Sequence, residues 1–409
     1  MGECLVTSGR HFLQIPGPTN VPDRVLRALA QPTIDHRGQA FASMAREALD
    51  GLRGVFKTTA PVVIFPASGS GGWEAALVNT LSAGDTVLMP ETGHFAAQWR
   101  DVARRLGLVV DFVEGDWRHP ANANALEQRL RDDRAHKIKA VAVVHNETST
   151  GVVSSVAEIR RRIDAAAHPA LLFVDTVSSL ACMDYQHDEW GVDVSIAASQ
   201  KGLMLPPGLG VLAIGEKALA AGAAAGMPRS YWDWRPMIAD NRNGFFPTTP
   251  ATNLLFALVE ALRMLQEEGL TNVFARHERF GEATRRAVRG WGLDLVCQDP
   301  AAYSSSVTAV MMPEGHDGDR FRKMTLDAFD MSLGAGLGRL KGTSFRIGHL
   351  GSFNDLMLAG TLSGVEMGLA RSGVPFTEGG ISAALEYLSR ATAAANLEPD
   401  LKSNLKSEF

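Results

Sequence analysis

Ala170-Leu171-Leu172-Phe173-Val174-Asp175 runs five apolar residues straight into a carboxylate. An apolar run without polar alternation reads as a strand buried on both faces, as in a parallel sheet covered by helices on each side. The pattern extends outward in both directions. Pro61-Val62-Val63-Ile64-Phe65, Thr86-Val87-Leu88-Met89, Val109-Val110-Asp111-Phe112-Val113 and Ala140-Val141-Ala142-Val143-Val144 are further strands, with helical spacing at residues 73–81 and 153–167. Strands alternating with helices give an α/β fold, whose active sites lie at the carboxyl ends of the strands. Residues 26–268 are expected as one large domain. Ahead of it, Ile15-Pro16-Gly17-Pro18-Thr19-Asn20-Val21-Pro22 marks residues 1–25 as an extended arm. Behind it, Arg/Glu-rich helical residues 277–289 lead into a second α/β stretch. Residues 269–390 are therefore expected as a smaller C-terminal α/β domain, and 391–409 as a fraying tail.

Composition narrows the class. Of 409 residues, 45% are hydrophobic and 21% charged, enough apolar material for a large domain and a smaller one. A net charge of −5 offers no basic footprint for nucleic acid or an anionic membrane. Arg160-Arg161-Arg162 is flanked by Glu158 and Asp164 and reads as a solvated helix face. Cys4, Cys182 and Cys297 are far apart and form no CxxC pair, which fits a reducing compartment. No apolar run approaches the roughly 20 residues of a membrane span. The residues after Glu3 lack a signal-peptide apolar region, and Lys406-Ser407-Glu408-Phe409 is not a peroxisomal address. Cytoplasm is the expected location, and no spacing suggests a metal site.

Four strand ends carry polar residues. Ala67-Ser68-Gly69-Ser70-Gly71-Gly72 precedes a helix, and small residues there let backbone N–H groups approach a phosphate at the positive helix end. The stretch is neither a Walker A loop nor a full dinucleotide fingerprint, since Glu74 stands where the third glycine belongs; a Gly-rich turn without a ligand would read the same. Asp175, at the end of its apolar run, needs a cationic partner if buried. A protonated pyridinium nitrogen would serve, whereas a turn-capping Asp is the plain alternative. In Ala198-Ser199-Gln200-Lys201-Gly202, a lysine directly after the strand 192–196 is poised to lose its proton by desolvation, as a Schiff-base amine must. A solvent-facing loop lysine is the alternative there. His145-Asn146-Glu147-Thr148-Ser149-Thr150-Gly151 is the fourth, readable also as a hydrogen-bonded loop capping the next helix.

Phosphate loop, polar strand end, Asp and Lys in that order resemble the constellation of fold-type I pyridoxal-phosphate enzymes. Gly71-Gly72-Trp73-Glu74, His145-Asn146-Glu147-Thr148, Asp188-Glu189-Trp190-Gly191-Val192-Asp193, Ser199-Gln200-Lys201, Pro206-Pro207-Gly208-Leu209 and Phe345-Arg346-Ile347-Gly348-His349-Leu350-Gly351 carry the likeness further. The chain resembles the class V aminotransferases, in their serine–glyoxylate and alanine–glyoxylate branch, from Pro16 to about Gly368. The resemblance implies a mostly parallel, seven-stranded type of sheet between helices. It also implies pyridoxal 5'-phosphate, held by Lys201 as a Schiff base, with Lys201 later shuttling the substrate proton. Asp175 would keep the pyridine nitrogen protonated, with Val177 beside it. Ser68, Gly69, Ser70 and Gln200 would bind the phosphate, Thr148 the phenolic oxygen, and Phe95 would stack on the ring. Arg346 would take the substrate carboxylate bidentately.

Relatives of this kind work as homodimers with shared sites, so His36 and Arg37 are expected near the substrate and Thr249 at the neighbour's phosphate; pairing of dimers into tetramers is left open. Phe246 and Thr248 stand where many relatives carry aromatics, Tyr in the first case, and Phe246 cannot donate a hydrogen bond. Thr176 and Gly38 are smaller departures, standing where a Gly and a Ser are common. The implied reaction passes the amino group of a small amino acid, serine before aspartate or alanine, to glyoxylate by a ping-pong route. A cysteine desulfurase is the remote alternative, for which neither Cys182 nor Cys297 has a mobile-loop setting. A cofactor-free binding module would have lost Lys201 or Asp175.

Overall fold

The computed structural model describes residues 9–396. Cys4 and the part of the expected tail from residue 397 onward lie outside the described residues; helix Gly380–Asn396 carries the backbone across residue 391. In chain order the strands are β1 (Phe12–Gln14), β2 (Val62–Ala67), β3 (Thr86–Pro90), β4 (Val109–Val113) and β5 (Ile138–Val144). A short pair follows, β6 (Asn146–Glu147) and β7 (Val152–Val153), then β8 (Leu171–Asp175), β9 (Val194–Ala198) and β10 (Gly208–Ile214). The last are β11 (Val307–Met311), β12 (Met331–Ala335) and β13 (Ser344–Gly348).

The larger sheet has seven strands in the order β2-β10-β9-β8-β5-β3-β4, all parallel except β10, which runs against both its neighbours. Successive side chains of a strand point to opposite faces. Val62 and Ile64, Val141 and Val143, Leu172 and Val174 therefore pack on one side, with Leu49, Leu52, Leu258 and Leu262 of helices Gln39–Phe56 and Thr252–Glu268. Val63 and Phe65, Ala142 and Val144, Leu171 and Phe173 pack on the other, with Trp73, Leu77 and Trp99 of helices Gly69–Thr80 and His94–Arg105. Both faces are dry over the inner strands, which is why those read as unbroken apolar runs; edge strand β4 is partly exposed and carries Asp111. All five residues of β8, in the middle of the order, are buried.

A second sheet of four strands, β1-β12-β13-β11, holds its own core with Phe280, Trp291, Phe321 and Phe345. Its first strand comes from the far end of the chain: Phe12, Leu13 and Gln14 pair in parallel with Met331, Ser332 and Leu333. The extended segment then crosses to the first sheet, where Thr19 N donates to the Gln200 carbonyl at 3.1 Å and Thr19 Oγ1 to that of Lys201 at 3.3 Å. No helix among the described residues is long and apolar enough to cross a membrane.

Gly202, buried just past the Lys201 strand end, presses on the turn after β8. A Cβ there would stand 2.2 Å from the Leu180 carbonyl oxygen and 2.9 Å from Cys182 Sγ. Gly202→Ala is expected to cost about 1–3 kcal/mol of stability, as overpacking does, seen as a lower urea midpoint. An unchanged midpoint would mean that the two segments separate freely.

Candidate active site

Because β2, β3, β5, β8 and β9 run the same way, their carboxyl ends gather on one edge. The antiparallel β10 brings its first residue there too, with Gly208 opposite Ala67. On that edge lies a cavity of about 240 Å³ whose walls include Ser68, Gly69, Ser70, Phe95, Thr148, Asp175, Val177, Gln200 and Lys201. A larger cavity of about 870 Å³ between helices Gln39–Phe56 and Thr252–Glu268 gathers no strand end, and its Arg263 is spent on Glu47 at 2.7 Å. The chemistry belongs to the smaller one.

Ser68 and Ser70 are exposed at the start of helix Gly69–Thr80, whose first turn closes through the Gly71 and Gly72 amides onto the Ser68 carbonyl. Only glycine fits at 69, since a Cβ would meet Val177 Cγ2 at 2.5 Å. Phe95 is set by the fully buried Glu147, whose carboxylate accepts from the amides of Phe95 at 3.3 Å and Ala96 at 3.1 Å and so caps helix His94–Arg105. Thr148 shares a 2.5 Å hydroxyl–hydroxyl bond with Ser178.

Asp175 is 4% exposed. Trp73 Nε1 donates to its Oδ2 and the Val177 amide to its Oδ1, each at 2.7 Å. Burial pushes its carboxyl up to about 7, against the pull of those two donors and of Lys201. Lys201 is buried, with Nζ donating to the Pro16 carbonyl. Burial first, then the charge of Arg346, lowers its amine to about 8. Arg346 reaches in from β13 of the second sheet. It donates from Nε to the Ala335 carbonyl at 2.7 Å and from Nη1 to that of Thr148 at 2.9 Å, and so stands behind the Thr148 turn rather than in the cavity wall. Burial holds its guanidinium down to about 10, with Glu147 opposing.

Besides Arg346, three expected site residues are not brought to the wall of this cavity. Arg37 and Thr249 are exposed and His36 is partly exposed, all outside its walls. Phe246, where relatives often carry Tyr, packs edge-to-face on Phe41 with ring centroids 5.9 Å apart, so it serves the core without a hydroxyl. Conversely, Gly17, Pro18, Trp73, Ser178 and Pro207 line the cavity, and no site role was expected of them. Trp73 sits inside a motif that was legible and Ser178 three residues past Asp175, but nothing in the sequence placed the Gly17-Pro18 bend over Lys201.

The residues present suit an anionic group bearing a cationic ring. Asp175 is buried with only neutral hydrogen-bond donors, which a ring cation would complete. Gln200 Oε1 and Asn146 Oδ1, both on residues of the cavity wall, are buried acceptors without a partner, so they call for a hydrogen-bond donor on the bound group and do not themselves favour an anion.

Residues 11–335 match the family described as Aminotransferase class-V. A serine–glyoxylate aminotransferase of Methylorubrum extorquens is 48% identical over 387 residues, 93% of this chain and 96% of that protein. An L-aspartate–glyoxylate aminotransferase of Paracoccus denitrificans is 46% identical over 383 residues, 93% of this chain and 97% of that one. Among solved structures, the ureidoglycine–glyoxylate aminotransferase of Bacillus subtilis has a TM-score of 0.86 at 28% identity, covering 94% of this chain and 100% of that one. The chain therefore belongs to the class V aminotransferases, fold-type I transaminases whose cofactor is pyridoxal phosphate.

Proposed function

We propose that this transaminase moves the amino group of serine to glyoxylate, giving glycine and hydroxypyruvate. The observation that carries the reading is the 48% identity, across 93% of the chain, to a serine–glyoxylate enzyme, together with a desolvated lysine and a buried Asp at adjacent strand ends. Donation by aspartate is the second reading, favoured by the 46% identity to an L-aspartate–glyoxylate enzyme; donation by alanine is the third. A desulfurase would need a reactive thiol. Burial raises the Cys182 thiol to about 12 and the Cys297 thiol to about 11, which argues against that chemistry.

When bound, pyridoxal phosphate supplies an electron sink for negative charge at the substrate Cα. In this reading Ser68, Gly69, Ser70 and Gln200 hold its phosphate, Thr148 its phenolic oxygen, and Phe95 covers its ring. Asp175, with Val177 fixing one of its oxygens, faces the ring nitrogen and keeps a proton there. Lys201 anchors the cofactor through Nζ and, once released, carries the proton at the substrate Cα. A lysine already lowered by burial can serve as a base near neutral pH. Arg346 orients the substrate carboxylate with the N–H groups left by its two carbonyl bonds. Residues 26–268 form the cofactor domain, 269–390 the domain bearing Arg346, and 1–25 an arm.

The same reading makes the working unit a homodimer in which His36, Arg37 and Thr249 serve the site of the second copy. Their exposure, away from the chain's own cavity, supports it. A cytoplasmic location fits two free cysteines far apart in sequence.

Serine, aspartate, alanine and glutamate, each offered with glyoxylate or pyruvate, test the assignment. Serine with glyoxylate is expected to give the highest kcat/KM, and absence of glycine from every donor would sink it. Lys201→Ala is expected to abolish the visible absorbance of the lysine-bound cofactor and to lower turnover by at least about a thousandfold.

Capture of the cofactor requires the neutral amine of Lys201, whose pKa stands at about 8 instead of the ordinary 10.5. At that pH half of the amine is neutral, and nearly all of it is neutral about two units higher. Capture by cofactor-free protein should thus level off at about pH 9–10; a rate still climbing beyond pH 10 contradicts a desolvated lysine. Finally, with Thr249→Ala alone below about a third of full activity, an equal mixture of Lys201→Ala and Thr249→Ala protomers, refolded together, should exceed either parent, because about half the dimers are hybrids holding one intact site. Activity no higher than the better parent argues against shared sites.

A further inference from the structure

Trp73 is 3% exposed on helix Gly69–Thr80, just behind the phosphate loop. Glycines bring that helix close to the strand ends. A Cβ on Gly72 would stand 2.5 Å from Ile196 Cγ2, and one on Gly69 would stand 2.5 Å from Val177 Cγ2. The approach lets the indole Nε1 reach Asp175 Oδ2 at 2.7 Å while the Val177 amide takes Oδ1 at 2.7 Å. The indole is itself held in place, 5.7 Å from the fully buried Trp99 ring and nearly parallel to it at 14°.

Tryptophan has one donor and no acceptor, and an ionised carboxylate only accepts. The bond therefore favours the ionised form of Asp175, and with the Val177 amide it fixes both oxygens against rotation. Each oxygen keeps a lone pair for one further donor. We infer that Trp73 is a positioning residue: through Asp175 it sets the rotation and the charge of the carboxylate that meets the cofactor's ring nitrogen. The inference rests on the reading of Asp175 given above. The other charged groups acting on this carboxylate oppose one another, Lys201 favouring the ionised form and Glu147 disfavouring it. That leaves the neutral donors to fix its geometry.

The test is a double-mutant cycle on the full chain, freed of cofactor and titrated with pyridoxal phosphate by absorbance. Trp73→Phe, which keeps an aromatic ring but has no N–H, is expected to weaken cofactor binding roughly tenfold to a hundredfold, as loss of a hydrogen bond to a charged group does. Asp175→Ala is expected to weaken it further. In the Asp175→Ala background, adding Trp73→Phe should cost no more than about twofold, because Trp73 acts only through Asp175. In turnover, Trp73→Phe should lower kcat and leave the KM for the amino donor near the parent value. Additive losses in the cycle, or an unchanged affinity in Trp73→Phe, overturn the inference. An unchanged affinity in Asp175→Ala overturns the reading of Asp175 itself, a separate result. If Trp73→Phe does not fold, Trp73→His, which retains a ring N–H, is compared with Trp73→Leu: tighter binding by the His variant upholds the inference, and equal binding removes it.

Discussion

Asp175 is a carboxylate in a dry place whose hydrogen-bond donors, the Trp73 indole and the Val177 amide, are both neutral. Burying it costs more than those two donors return, which is why its carboxyl is pushed up to about 7. A cation at the strand end relieves that cost, and the cofactor of the class V family brings one on its ring. Much else in the fold serves this one point. Central β8 carries the residue to the edge, and Gly69 and Gly72 let a helix close in behind it. The neighbouring β9 ends at the same edge and leads into Gln200 and Lys201.

The polar turn after β5 ties the two sheets together. Glu147 faces the first sheet by capping the helix that carries Phe95. Asn146 bonds both the Ser178 carbonyl, next to Asp175, and the Ser306 hydroxyl, just before β11. The Thr148 carbonyl receives Arg346 from β13. Three consecutive residues thus fix where Arg346 stands relative to the strand end of Asp175. None is free to move alone, since all three are buried.

Most of this was legible because burial on both faces leaves strands with no polar interruption. Asp175, Lys201, Ser68 and Thr148 then stood out as polar residues at apolar ends. What escaped lies where distance in sequence hides proximity in space. Trp73 reaches a residue 102 positions away, and in sequence it looks like one more apolar residue of a helix. Strand β1 is too short to announce itself, and its partner β12 is more than 300 residues further on. The antiparallel sense of β10 follows from tertiary packing alone. His36, Arg37 and Thr249 were legible as a family pattern, yet one chain gives them nothing nearby to act on.

The path of the N-terminal segment sets an order of assembly. Residues 12–14 join a strand at 331–333 before the segment bends over Lys201. The roof of the pocket thus leaves the ribosome about three hundred residues ahead of the strand that anchors it. Long-range closures of this kind are slow steps in folding. A truncated chain, even one holding Lys201 and Asp175, lacks the strand that pins the roof. A finished pocket is in this sense a record that synthesis has passed residue 333.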